Sequence, residues 1–200
     1  MYTSSPLHTD HDSELIYPRS IPPDARTTFM KPTDFRGLDL TDWEDLTIPT
    51  PDGEKLNALL IRPSNRLHAK PVTVLFFHGN AGNIGHRIPI AGYFQRFYGA
   101  NFMMLEYRGY GASTGTPNEQ GINIDAQTGL DYIRQRPDLK DTRIVIYGQS
   151  LGGAVTLSLV SKNQQAGDIK ALVLENTFLS IKKLIPRSVL FLDLENDERC

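Results

Sequence analysis

Cysteine is nearly absent: Cys200 is the one thiol in 200 residues. No disulfide can form within the chain, so the fold does not depend on an oxidising compartment. Long apolar runs are lacking as well; no stretch approaches the ~18 consecutive apolar residues of a membrane span. Charge of one sign is lacking too. A net charge of -2 provides no basic field to hold nucleic acid or an anionic membrane, and no nucleic-acid partner is expected. The N-terminus, Met1 to Asp12, is polar and carries acids, unlike a secretory signal or a transit peptide. As written, the sequence predicts a cytoplasmic chain.

What is present is a globular composition, 40% hydrophobic and 22% charged, long enough for one domain with a sizeable core. Residues 1–44 contain Pro6, Pro18, Pro22, Pro23 and Pro32 without sustained periodicity and predict an extended, partly ordered arm. Regular structure is expected from about Asp45. Leu46–Thr50 and Lys55–Arg62 flank Pro51-Asp52-Gly53-Glu54, the pattern of a hairpin. Val72–Phe77, Phe102–Tyr107, Arg143–Tyr147 and Ala171–Leu174 are apolar runs of the kind buried in parallel sheets. Between them, helices are expected over about 84–98, interrupted early by Pro89, and over 151–161. A third is expected after Thr116, with Thr116 as N-cap, Pro117 in the first turn and Glu119 closing a capping box. Ile122, Ala126, Leu130 and Ile133 give that helix one apolar stripe. Alternating strands and helices imply right-handed crossovers and a mostly parallel sheet covered on both faces, an α/β fold.

Gly148-Gln149-Ser150-Leu151-Gly152 follows one of the strands and opens a helix. A G-x-S-x-G in that context is a strained strand-to-helix turn that lifts a serine hydroxyl clear of the sheet, at a helix N-terminus that favours developing negative charge. The glycines are expected because a side chain two positions from the serine would collide with its backbone. The bland alternative is a plain turn with an N-capping serine. The second motif, His78-Gly79-Asn80-Ala81-Gly82, follows the strand Val72–Phe77. Its place before Ser150 in this architecture predicts an oxyanion hole formed by the backbone amides of Asn80 and Leu151. Taken alone, it would read equally well as an ordinary Gly-rich loop. His78 and His86 lie in no cluster with metal-ligand spacing, so no metal is expected and a structural or solvent-facing role is assigned to each. Gly109-Tyr110-Gly111-Ala112-Ser113-Thr114-Gly115 has one residue too many for a dinucleotide fingerprint. It predicts a loop at the active-site rim, and no cofactor is expected.

With these motifs in order, the chain resembles the bud-emergence family of α/β hydrolases. The resemblance runs from about residue 14 to Pro186. It is carried by Leu15-Ile16-Tyr17-Pro18, Thr50-Pro51-Asp52-Gly53, His78-Gly79-Asn80-Ala81-Gly82-Asn83, Glu106-Tyr107-Arg108-Gly109-Tyr110-Gly111, Gly148-Gln149-Ser150-Leu151-Gly152-Gly153 and Glu175-Asn176-Thr177-Phe178. It implies the α/β-hydrolase fold and a membrane-associated serine hydrolase of esters, thioesters or amides. Ser150 would be the nucleophile and Asn80 and Leu151 the oxyanion donors, acting on a small acyl substrate or on a lipidated or peptide substrate. It further implies an N-terminal membrane anchor, and later strands bearing an aspartate and a histidine, none of which stands in these 200 residues. The resulting division is an arm over 1–44, a partial hydrolase domain over 45–186 with the C-terminal strands missing, and a divergent tail over 187–200.

All five histidines (His8, His11, His68, His78, His86) precede Ser150, whereas the fold's order is Ser, then Asp or Glu, then His. A serine without a base is a poor nucleophile. Three readings follow: a serine hydrolase inactive in a C-terminally truncated form, a non-catalytic ligand- or protein-binding product of the same fold, and a short active enzyme with an unforeseen base. The first is preferred. A sheet ending at Ala171–Leu174 would expose an apolar edge, so self-association is expected there; a concentration-independent monomer in sedimentation would exclude it. Val189–Leu192 is expected to cover that edge as an added strand, which hydrogen exchange at those amides would test.

Overall fold

A computed structural model describes residues 16–177. Its sheet has six strands: β1 (Asp42–Pro49), β2 (Lys55–Arg62), β3 (Val72–Phe77), β4 (Asn101–Leu105), β5 (Arg143–Gln149) and β6 (Ile169–Glu175). Their order across the sheet is β1-β2-β4-β3-β5-β6. The β1–β2 and β2–β4 pairs are antiparallel, and β4, β3, β5 and β6 run parallel. Three α-helices cross between the parallel strands: α1 (Ile88–Tyr98), α2 (Glu119–Gln135) and α3 (Leu151–Asn163).

Each apolar run expected as a buried strand serves two cores, because successive side chains leave opposite faces. Leu75 and Phe77 of β3 face α2 and α3, packing with Ile122, Ala126, Leu130, Ile133, Val155 and Leu159. Val74 and Phe76 face α1, with Ile88, Ala91, Phe102 and Tyr147. Covering on both faces is why these strands show no polar alternation. The expected helical stripe Ile122, Ala126, Leu130, Ile133 is buried along its whole length.

Several boundaries differ from expectation. β1 begins at Asp42, because Asp42 and Trp43 pair with Arg62 and Ile61 of β2. β4 ends at Leu105, and Glu106 and Tyr107 belong to the following loop. The N-cap of α2 is Asn118, whose side chain accepts from the Gly121 amide; Thr116 and Pro117 stay outside the helix and Glu119 is its first residue. Asn118 wins because its short side-chain carbonyl reaches the third amide of the helix. Residues 84–87 form a 3-10 turn before α1, so Pro89 stands in the first turn of the α-helix and interrupts nothing. The strand expected over Ala171–Leu174 is present within β6 but is not buried: Leu172 and Leu174 are 39% and 40% exposed. The added strand expected at Val189–Leu192 and the tail 187–200 lie outside the described residues.

Residues 16–41 include a 3-10 turn at Pro32–Asp34, and Tyr17, Ala25 and Leu40 are buried. Its first part, residues 16–28, meets the loop that follows β3 at the carboxyl edge of the parallel strands, and its end, residues 39–41, lies beside Ser64 at the opposite edge.

Candidate active site

Ser150 links β5 to α3 with φ 53° and ψ -113°, a combination L residues avoid. The Ser150 amide donates to the Glu175 carbonyl (2.9 Å), prolonging the β5–β6 ladder, while the Ser150 carbonyl accepts from the Gly153 amide (2.9 Å). The Thr177 hydroxyl donates to the same carbonyl at 3.0 Å. The hydrogen bonds of Ser150 to described residues thus run through its backbone, and its hydroxyl caps nothing in α3.

The glycines of the motif are required by close backbone approaches. A Cβ on Gly148 would stand 2.3 Å from the Gly152 carbonyl oxygen, and one on Gly152 would stand 2.0 Å from the Phe77 carbonyl oxygen. The nearest clashes are between the two ends of the turn and with the end of strand β3. Gly152 seats the first turn of α3 directly against the end of β3, which brings the loop after β3 to the nucleophile. A Cβ on Gly79 would lie 3.4 Å from Ser150 Cβ, so a side chain here would meet the serine in van der Waals contact, and Gly79 passes beside it without one.

That loop is held from three sides. From the N-terminal segment, the Ile16 carbonyl accepts from Asn80 Nδ2 (2.6 Å), and Asn83 Nδ2 donates to the carbonyls of Ala25 (2.8 Å) and Thr28 (2.9 Å). The Gly82 amide donates to the Ile21 carbonyl at 2.6 Å. From the loop after β4, the Tyr110 hydroxyl donates to Asn80 Oδ1 at 2.6 Å; burial pushes this phenol well above its usual range. From the start of α1, Arg87 donates through Nη2 to the Ala81 carbonyl (3.2 Å) and through Nε to Gln149 Oε1 (2.9 Å). Arg87 thereby ties the loop to the nucleophile turn, and burial lowers its basicity. Gln149 in turn donates to Glu175 Oε2 at 3.2 Å, which also accepts from the Tyr147 hydroxyl. Among the described residues, the turn and loop hydrogen bonds use the amides of Gly82, Asn83, Ser150 and Gly153 and not those of Asn80 and Leu151.

The structure thus brings Ser150, Asn80 and Leu151 to one place. His78 is fully buried beneath the loop, with Nδ1 2.7 Å from the Gly79 carbonyl oxygen and Nε2 2.9 Å from Glu106 Oε1. Of its two assigned roles, structural or solvent-facing, the first holds. His86 Nδ1 accepts from the Asn83 amide (3.1 Å), and His68 lies beside Asn65. No group of three or more metal-ligating side chains occurs among the described residues. The Gly109–Gly115 loop reaches the site through Tyr110, and its glycines at 109, 111 and 115 take positive φ. Sequence reasoning missed Arg87, Glu106, Tyr110 and the arm carbonyls. The Arg108-Gly109-Tyr110-Gly111 run and Asn83 were visible as family residues, but nothing local tells which atoms they meet.

Residues 69–195 match the family model described as serine aminopeptidase, S33. The chain is 43% identical over 176 residues to protein bem46 of Schizosaccharomyces pombe, covering 88% of this chain and 56% of that protein. It is 39% identical over 176 residues to the membrane protein YNL320W of Saccharomyces cerevisiae, covering 88% and 58%. The chain therefore spans about half the length of the curated relatives it matches. An α/β hydrolase from Vibrio vulnificus superposes with a TM-score of 0.74 at 22% identity, covering 99% of this chain and 70% of that one, a likeness of fold. On the joint weight of the six-stranded sheet, the glycine-bounded serine turn and these matches, the chain belongs to the bud-emergence family of α/β hydrolases.

Proposed function

We propose that the chain carries the nucleophile and the oxyanion donors of a serine hydrolase that cleaves esters, thioesters or amides through an acyl-enzyme. The observation that supports this most directly is the strained Ser150 with the glycine-bearing loop after β3 passing beside it. In this reading Ser150 Oγ attacks the substrate carbonyl carbon and passes its proton to a general base. The carbonyl oxygen becomes an oxyanion facing the amides of Asn80 and Leu151, each worth ~3–4 kcal/mol in the transition state. Collapse expels the alcohol, thiol or amine, which takes the proton; water then repeats the sequence and releases the acid.

The base is not one of the described histidines. His78 is enclosed between Gly79 and Glu106, His68 lies beside Asn65 and His86 accepts from the Asn83 amide, and none of the three bonds Ser150. By the family's order it follows Ser150, so residues 1–200 alone are expected to react slowly, losing up to ~10⁶ in rate as triad knock-outs do. The substrate is a small acyl ester or a lipidated or peptide substrate. The designation of the yeast relative as a membrane protein supports action near a membrane, although no helix among the described residues is long and apolar enough to cross one. The test is fluorophosphonate labelling of the protein in extracts of its source cells, against Ser150→Ala. Labelling that disappears in the variant supports the reading. Absence of labelling on abundant, folded protein would sink it and favour a binding role.

A further inference from the structure

His78 and Glu106 are both buried, at 0% and 1% exposure, and the reaction described above uses neither. His78 Nδ1 lies 2.7 Å from the Gly79 carbonyl oxygen. A carbonyl oxygen only accepts, so this nitrogen carries a hydrogen. In a neutral ring the other nitrogen, Nε2, would then be a bare lone pair, 2.9 Å from Glu106 Oε1. Two acceptors at that distance in a buried site repel each other. A proton on Nε2 makes the ring a cation, turns the contact into an attraction and supplies the carboxylate with the counter-charge that burial demands. The two atoms approach closely without the alignment of a hydrogen bond and meet no other hydrogen-bond partner among the described residues. The contact is therefore one of charge rather than of hydrogen-bond direction. The other ionisable groups around the pair are the phenols of Tyr107, which donates to the His78 carbonyl at 2.9 Å, and of Tyr110, whose ring is 5.4 Å from the imidazole. The Arg87 guanidinium acts on Glu106 through space while donating to Ala81 and Gln149.

The pair spans the oxyanion loop. The imidazole holds Gly79 at the loop's beginning, and Glu106 Oε2 accepts from the Ile84 amide at 3.0 Å at its end. Asn80, Ala81, Gly82 and Asn83 are strung between. Gly111 makes room for the carboxylate, since a Cβ there would stand 2.3 Å from Oε2.

We propose that His78 carries a proton on Nε2 as well as on Nδ1, opposite an ionised Glu106, and that the two, as a net-neutral ion pair, are positioning residues that set the Asn80 amide for the oxyanion. The proposal rests on the serine-hydrolase reading of the same site. It is tested first on the 200-residue chain itself, by nitrogen-15 NMR of the His78 ring at neutral pH. Both ring nitrogens are expected to be protonated; a bare Nε2 overturns the proposal, whatever Ser150 does. In Glu106→Gln, Nε2 is expected to lose its proton while Nδ1 keeps its own, and the Asn80 and Ala81 amide signals move while those of β1 stay. Loop amides that do not move overturn the positioning role. If that variant does not fold, Glu106→Asp keeps the charge and is expected to keep the doubly protonated ring; a ring that becomes neutral there counts against the pair. In the natural protein, Glu106→Gln is expected to slow labelling at Ser150 at least tenfold, and an unchanged rate counts against it. A wild-type protein that never labels refutes the hydrolase reading, while the ring protons still decide whether the pair exists.

Discussion

The nucleophile turn and the oxyanion loop lie against each other, yet they are held in opposite ways. The turn is shaped by side chains that are missing: Gly148 and Gly152 leave room for the Gly152 and Phe77 carbonyls. The loop is shaped by side chains that are present: Asn80, Asn83, Tyr110 and Glu106 reach it or reach from it over tens of residues, and Arg87 holds it from the start of α1. A turn made by steric exclusion between backbones is rigid. A loop made by hydrogen bonds to a distant arm is only as well placed as that arm.

The sharpest way to break the turn is to fill it. Gly152→Ala places a methyl 2.0 Å from the Phe77 carbonyl oxygen and is expected to cost at least about 3 kcal/mol in urea unfolding, because neither backbone can yield. A cost under about 1 kcal/mol would show that the turn is softer than its contacts imply. The corresponding attack on the loop is gentler. Asn83→Ala strands the carbonyls of Ala25 and Thr28 and is expected to cost about 2 kcal/mol, with hydrogen exchange rising at the Gly82 amide, which bonds Ile21, and not at the Ser150 amide. Exchange that rises equally at both would mean that the two regions are not separately held.

Ser150→Gly separates function from stability within the turn. It relieves the positive φ and is expected to stabilise the chain by about 1 kcal/mol while removing the nucleophile; a lower melting temperature would show that the serine is not strained. The smallest expected effect reaches the loop indirectly. Hydrogen bonding by the Arg108 guanidinium, then by Thr50, holds the Asp52 carboxyl down at about 2 from its ordinary 3.8. Arg108 also pairs with buried Asp125 and leads into the Gly109–Gly115 loop that carries Tyr110. A carboxyl with a lowered folded-state value adds stability that is full above its ordinary range and is lost as pH falls through about 2. The wild-type chain should therefore lose stability more steeply than Asp52→Asn between pH 4 and pH 2. Equal slopes in acid unfolding would remove Asp52 from the account.

How much of this was legible in the sequence follows from the same contrast. The strands β3 and β5, the α2 stripe and the Ser150 turn are local statements, and the residues that make them are neighbours along the chain or one helical turn apart. The misplaced cap of α2 is the exception, where two polar residues on either side of Pro117 both suit a helix start and geometry alone chose Asn118. The burial expected for β6 failed because an apolar run says what a strand prefers and not what covers it.

By itself, then, the sequence determined the alternation of strands and helices, the parallel sheet, and the pairing of a serine turn with a glycine-rich loop. Periodicity and steric demand act within a few residues. The tertiary structure alone decided that Gly152 clears the end of β3, that the arm's carbonyls hold Asn80 and Asn83, and that Glu106 faces His78. Those contacts join parts of the chain up to 75 positions apart, from Phe77 to Gly152, and only the packing of the sheet brings such distant groups within reach.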